Sequence, residues 1–268
     1  STLSSSSAAS DVYKRQILRK ARLQVLENRN FTRYAIYAVG EVILIVIGIL
    51  IALWISDLSE EYKKREREQF YLAGLQEEFE QSRAKLQVLI KVNRDTYVKA
   101  RSIAEAIAHP DSVLSDAEMS RLLFQAFSDD FAYNPNNSLL QELLSAGRLE
   151  ILSNAELRNK LTGWNSRIER IRQQETSLRE QRYRVLDVAR SGTGSIRRIF
   201  EENGLAEGLL GMTPSPDPGT NLPLLESRQF ENNVLIFILT AVYTEQMHYQ
   251  PLLEEIQKIL SVIDQDRE

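Results

Sequence analysis

From Ala35 to Ile55 the chain runs AIYAVGEVILIVIGILIALWI, 21 residues with a single charge, at Glu41. Nothing else in the sequence constrains the fold as strongly. Coiled into an α-helix, the run is about 31 Å long at ~1.5 Å per residue, matching the hydrocarbon core of a bilayer. Tyr34 and Tyr37 at one end and Trp54 at the other stand where interfacial aromatics stand. The rival is a cleavable signal peptide, whose apolar region is shorter (about 7–15 residues) and leads to small residues at A-x-A spacing. Trp54-Ile55-Ser56-Asp57 offers no such site. The reading is a retained transmembrane helix over 35–55.

What precedes this helix has two parts. Residues 1–16 include SSAASDVYKRQ, which reads codon for codon as an in-frame translation of a transposase-type sequencing adapter; the rival is a natural Ser/Ala-rich leader. Residues 17–34 are short and basic. Arg19, Lys20, Arg22, Arg29 and Arg33 precede the helix, and Lys63, Lys64, Arg65 and Arg67 follow it. The residues closest to the helix set Arg29 and Arg33 against Asp57, Glu60 and Glu61. This favours a cytoplasmic N-terminus with the large C-terminal domain outside; at the bacterial inner membrane that the family resemblance below implies, outside is the periplasm.

Within the apolar helix, Glu41 lies roughly 10 Å along the axis from Tyr34. An ionised carboxylate at that depth costs on the order of 2–3 kcal/mol unless it snorkels, protonates or finds a partner. Gly48, Ala52 and Ser56 recur every four residues, a small-residue stripe against which another helix can approach closely. Gly40, Glu41, Gly48 and Ala52 are therefore the candidate membrane-embedded interaction residues. The partners expected are the lipid bilayer and, through this helix and the helical seams below, a second copy or another membrane protein.

Residues 56–268 read as helices throughout, with no run of period two. Over 56–108, eleven positions at 3-4 spacing (Leu72, Leu75, Phe79, Ser82, Leu86, Leu89, Asn93, Thr96, Ala100, Ile103, Ile107) form a seam, eight of them apolar. Asn93 is placed to fix register against a partner helix, and His109-Pro110 ends the element. Ser115-Asp116-Ala117-Glu118 and Ser153-Asn154-Ala155-Glu156 read as capping boxes. The second opens a helix to about Arg190 with its own seam, from Leu157, Leu161 and Trp164 to Val185 and Ala189. Ser138 to Ala146 reads as a short helix stopped by Gly147. Residues 204–223 hold four of the eleven glycines and four of the seven prolines, and read as a loop. From Ser227 to Asp264 runs a last element whose stretch Val234 to Tyr243 is apolar nearly all round, the signature of a buried central helix, with Pro251 as a kink or at the place where two helices meet. The fold expected is all-α: one transmembrane helix followed by an elongated antiparallel helical bundle.

Chemistry is poorly supplied. There is no cysteine, which removes disulfides and thiolate sites, and the two histidines, His109 and His248, have no partners spaced as a triad or metal site. A net charge of −4 gives no basic surplus for nucleic acid. Ser191-Gly192-Thr193-Gly194-Ser195 lacks the preceding strand and the lysine of a phosphate loop. Asp129-Asp130 with Asn134, Asn136 and Asn137 lacks the alternation and central glycine of a calcium loop, which leaves turn and capping duty. No cofactor, metal site or catalytic residue is expected, and the chain reads as a non-enzymatic display, scaffolding or sensing protein. The alternative is a domain that binds a small molecule between its helices.

Two segments carry a family resemblance: YAIYAVGEVILIVIGILIAL at 34–53, with Gly40-Glu41 inside the apolar helix, and LQELLSAGRLEILSNAELR at 140–158. The chain resembles an uncharacterised bacterial family, domain of unknown function 6090, with a short basic N-terminus, a Gly-Glu within its membrane helix and a charged helix straight after. The resemblance spans 17–268 and departs at Trp54-Ile55-Ser56-Asp57, where the family more often shows Gln and Asn. It implies the anchor and the outer helical domain, and it implies no activity.

Overall fold

A computed structural model describes residues 29–109, 114–192 and 194–267. The adapter-like segment and most of the basic segment, together with Pro110 and Thr193, lie outside the described residues. Every regular element among those described is helical, in line with the all-α reading. α1 (Arg29–Ala108) is one helix of 80 residues that carries both the apolar run and the first seam. The expected boundary at 55/56 is no break in the backbone, because no glycine or proline falls between Gly48 and Gly74 to interrupt the i→i+4 ladder. By contacts the chain divides into two compact units, Ser1–Glu66 and Arg67–Glu268.

In the first unit, the described part of α1 is exposed almost throughout. Among the described residues α1 is the one helix long and apolar enough to cross a membrane. Its most apolar stretch has a mean hydropathy of 2.7 and buries none of its residues in the protein.

The second unit continues with α2 (Asp116–Phe127), α3 (Ser138–Ser145), a 3-10 turn (Leu149–Ile151), α4 (Ala155–Thr162), α5 (Trp164–Arg190), α6 (Ile196–Glu202) and α7 (Leu205–Gly208). A second 3-10 turn (Leu222–Glu226), α8 (Arg228–Thr244), a π-turn (Glu245–Tyr249) and α9 (Gln250–Arg267) complete it. Ten of the eleven first-seam positions are buried, Ile107 being the partly exposed one, and all ten positions of the second seam from Leu157 to Ala189 are buried. The seams are thus covered by this chain's own helices. α8 and α9 run antiparallel to α1: Asn93 meets Ala241 and Gln76 meets Asp264. α5 runs the same way as α1, with Trp164 edge-on to Phe79 at 4.9 Å and Val185 in one cluster with Ala100 and Ile103. The short helices between them return the chain to the starting end.

Carboxylates of α1 cap the elements laid across it. Glu78 accepts from the Leu139 and Leu140 N–H groups at 2.6 and 3.2 Å, satisfying free donors at the start of α3. Glu68 accepts from the Ser153 N–H and hydroxyl, both at 2.6 Å. That contact corrects the second capping box: Ser153 is taken by Glu68, and Asn154 caps α4 by accepting from the Glu156 and Leu157 N–H groups. The first box forms as read, Ser115 and Glu118 capping each other's backbone. The helix that the second box opens is broken at Gly163 into α4 and α5. Gly147 ends its turn with φ +64, a conformation that favours glycine. Gly74 lets α3 approach closely, since a Cβ there would run into Leu139 Cδ2.

Two expectations fail in the last third. The 204–223 segment is not all loop: Leu205-Ala206-Glu207 are good helix formers and make the single turn α7. Pro251, by contrast, lies where two helices meet, as one of its two readings had it, since α9 begins at Gln250. The backbone widens into a π-turn just before it, with the Gln250 N–H donating to the Glu245 carbonyl five residues back, which accommodates the clash a proline brings. The second failure is α8, which is not buried on all sides. Val234, Phe237 and Ala241 are buried, while Leu235, Ile236, Leu239 and Tyr243 are exposed. α8 lies at the rim of the bundle, and no described element covers its outer face.

Candidate functional site

On a helix with 100° per residue, Glu41, Gly48 and Ala52 fall within one narrow stripe, and Gly40 stands about a quarter-turn away. All four lie in α1 with no packed neighbour: Glu41, Gly48 and Ala52 are exposed and Gly40 half-buried. A Cβ added at Gly40 or Gly48 would meet nothing within 4 Å. The chain itself gives Glu41 no ion-pair partner among the described residues, so three of the four predicted residues form one open face.

In the second unit the apolar core is two clusters, one around Trp164 and Tyr249 and the other around Phe127 and Phe237. A polar layer lies between them. Asn93, fully buried, donates to the Ala241 carbonyl at 3.0 Å, and Gln174 donates to Thr244 Oγ1 at 2.9 Å. Glu245, buried in the same layer, is ion-paired with Arg94, which raises the guanidinium's pKa through the hydrogen bond and the charge. Glu175 accepts from the Tyr133 N–H at 2.7 Å and the Tyr249 hydroxyl at 2.9 Å. Burial pushes the Glu175 carboxyl up from its usual range despite those two donors, and burial pushes both tyrosine hydroxyls up as well. Asp130 is held the other way: burial would lift it, but Arg179 at 3.0 Å and Arg182 at 3.2 Å outweigh this and keep it below the ordinary carboxylate range. The cavity bordered by Glu175, Asp130, Arg179 and Arg182 measures about 10 Å³, room for a water and for no substrate. This cluster orders the bundle.

The Asp129–Asn137 segment, expected to serve turns and caps, braces the bundle instead, with Asp130 on α5 and the Asn136 N–H on Ser82 Oγ at 2.9 Å. Asn137 does not cap α3, since Glu78 takes that role. The Ser191–Ser195 joint is held by Asn221, whose Oδ1 accepts from the Ser195 N–H at 2.7 Å. His248 sits edge-on to Tyr243, its pKa lowered by burial and then by Arg170. His109 lies 3.6 Å from Glu105 on the surface. Among the described residues no three His, Asp or Glu side chains are grouped to hold a metal.

Two features escaped sequence reading. One is the outer face of α8 and the following turn, where Leu235, Ile236, Leu239, Tyr243 and Met247 are exposed side by side, Leu239 at 68%. The signal was the four-residue spacing of 235, 239, 243 and 247, masked by apolar residues on the buried face as well. The other is a cavity of about 300 Å³ between α2, α5 and α6, lined by Leu123, Phe124, Phe127, Val185, Ile199 and Phe200. Its apolar residues belong to elements that meet only in three dimensions.

Fold and surfaces define a class: an all-α chain whose long first helix carries an uncovered apolar run and then the spine of a helical bundle. Within that class, the model of a family of unknown function, DUF6090, matches residues 41–182, more than half of the chain, and the protein belongs to that family. The match opens on Glu41 and includes the 140–158 segment, a shorter span than the 17–268 expected. No curated protein and no solved structure matches the chain.

Proposed function

We propose that the protein is a single-pass protein of the bacterial inner membrane, N-terminus cytoplasmic, that holds its helical domain in the periplasm for protein interaction, scaffolding or sensing and catalyses no reaction. The observation that carries this reading is the apolar stretch of α1, hydropathy 2.7, with none of its residues buried in the protein. So long a bare apolar surface is intolerable in water and is satisfied by lipid. A core helix of a soluble protein passes the same length test, but it is buried. Partners in this reading are the bilayer and a second copy or another membrane protein, met through Glu41, Gly48 and Ala52 and through surfaces of the domain. Nucleic acid has no part in it. Membrane fractionation tests the reading: the protein is expected to resist carbonate and to be released by detergent, with the domain open to protease from the periplasmic side. Recovery of the full chain in the soluble fraction without detergent refutes it.

The cavity of about 300 Å³ favours a second reading, a sensor of a small apolar molecule, because that volume reaches the lower end of ligand pockets. A thermal-shift screen of the full chain in detergent separates the two. A stabiliser abolished by Phe200→Ala supports the sensor, and a panel without stabilisers refutes it.

A further inference from the structure

We infer that the cleft between α5 and the π-turn binds a small organic carboxylate, its charged end on Arg167 and Arg170 and a short apolar stem against Ile171, Leu252 and Met247. The site lies outside the interaction reading above and stands whether or not α1 is held by lipid. Arg167 and Arg170 are three residues apart on α5, so their side chains are neighbours on one face. The π-turn supplies the other wall with Met247 and His248, and the cavity between them measures about 90 Å³. That is room for several waters, or for a carboxylate and the first carbons of its stem. Turns of this kind recur at functional sites.

Donors are in surplus there. A guanidinium carries five N–H groups in a planar fork that matches a carboxylate. Among the described residues neither arginine donates a side-chain hydrogen bond. The Arg167 Nε is buried and unmet, and Glu255 Oε1, 3.4 Å from Arg167 as an ion pair, accepts no hydrogen bond either. Positive charge is in surplus too. Lys160 shares Glu255 with Arg167 and faces Glu156 at 3.7 Å, so two carboxylates answer two of the three cations. Arg170 is exposed, and its neighbours one turn away on α5 are Ser166, Arg167, Gln173 and Gln174, none of them acidic. The adjacent Glu169 pairs with Arg172 instead. One unmatched positive charge selects a singly charged ligand, whereas a phosphate ester at about −1.5 to −2 overshoots it. The walls call for carbon behind the charge. Ile171 and Leu252 are buried, and Met247 is a flexible thioether, 57% exposed, able to fold over a stem. A bare inorganic anion leaves these surfaces unmatched, while organic ligands pair apolar walls with a few polar groups.

The chain has two histidines, which makes the readout specific: His248 lines the cleft, and His109, beside Glu105 on the surface, is the internal reference. Full-length protein in detergent, isotope-labelled at histidine, is titrated with sodium pentanoate at neutral pH and constant ionic strength and followed by NMR. The expected result is a saturable shift of the His248 ring signals, with a Kd on the order of 1 mM, and no shift at His109. Arg170→Gln is expected to weaken binding about tenfold, the loss of one charge-assisted contact. Arg184→Gln removes an exposed cation about four turns further along α5 and should leave Kd unchanged. Pentanamide has the stem without the charge and phosphate the charge without the stem; each is expected to bind about tenfold more weakly than pentanoate. Both substituted arginines are exposed, and unchanged melting of each variant confirms its fold. A His248 signal that does not move overturns the proposal. So does an equal Kd for the Arg170→Gln and Arg184→Gln chains, since the ions then only screen the surface. Phosphate or pentanamide binding as tightly as pentanoate overturns it as well, because the cleft then reads charge alone or stem alone.

Discussion

The Asn93 side-chain amide donates to the Ala241 carbonyl at 3.0 Å from a fully buried position, while its own Oδ1 has no partner. The polar residue of the first seam therefore sets the register of α1 against α8 within one chain, and does so with half of its hydrogen-bonding capacity unmet. An unmet buried acceptor is costly, and replacing such a group by an apolar one of similar volume is often neutral or stabilising. Asn93→Leu is expected to leave unfolding stability within about 1 kcal/mol of the parent or above it. Asn93→Asp buries a charge without a cation beside its carboxyl and is expected to cost about 3 kcal/mol or more at neutral pH. Denaturant unfolding in detergent checks both, and equal losses for the two variants would contradict the unmet-acceptor account.

Glu175 links pH to stability. Its carboxyl is raised in the folded state by burial, so the folded chain holds that proton more tightly than the unfolded chain. The stability it contributes is full below its unfolded pKa and is lost as pH rises through its folded pKa. At neutral pH the ionised form is a burden. Glu175→Gln keeps the oxygen that accepts from Tyr133 and Tyr249 and removes the charge. It is expected to stabilise the protein at pH 7 by about 1 kcal/mol, the scale of one buried polar group, and to lose that advantage as the pH falls through the folded pKa. Asp130 has the opposite sign: its depressed pKa gives stability above the unfolded value that is lost on acidification, so Asp130→Asn narrows the acid loss. Melting temperature measured from pH 4 to 8 reads both slopes (about pH 5 to 8 being where most domains are most stable).

Glu78 holds α3 on α1 through the Leu139 and Leu140 N–H groups. Those donors lie among the first turn of a helix whose nominal cap, Asn137, makes no side-chain bond. Glu78→Ala is expected to cost about 1–2 kcal/mol, a lost cap plus a lost charge-assisted bond. Glu78→Gln, which retains one acceptor, should cost less. Hydrogen exchange at the two leucine amides is the specific readout, and unchanged protection there would show the contact to be dispensable.

The helical architecture was legible because seam periodicity survives packing: ten of eleven positions in the first seam are buried where 3-4 spacing put them. The first capping box and the Gly147 stop were legible for the same reason, since they use only neighbouring residues. What failed depended on contacts between elements distant in sequence. Ser153 lost its cap role to a carboxylate 85 residues earlier, and Glu78 took a role that local sequence gave to Asn137. α8 defeats a reading from composition because an all-round apolar helix and a rim helix with a second surface have the same residues. In the apolar run the sequence offered Gly48, Ala52 and Ser56 as a small-residue stripe and Glu41 as a separate acid; the helix that forms puts Glu41 on the face of Gly48 and Ala52 and leaves Gly40 off it.

That shared face gives the last prediction. Glu41 stands on the same face as Gly48 and Ala52, where small side chains leave room for another backbone and a carboxyl can bond across the contact. In a bilayer the alternative for Glu41 is to snorkel toward the headgroups near Tyr34 and Tyr37. Glu41→Gln lowers the cost of insertion and keeps a polar group of the same length, so the chain should still insert. If the carboxyl bonds across a helix pair, association at membrane level should weaken by about 0.6–2 kcal/mol, the range of single polar contacts between membrane helices. Gly48→Leu should weaken it independently by blocking close approach, with Leu53→Ala on the same helix as the control. Energy transfer between labelled copies in vesicles measures each step. Parent-like association for both Glu41→Gln and Gly48→Leu would reduce Glu41 to a snorkelling acid and leave the domain surfaces as the sole contacts.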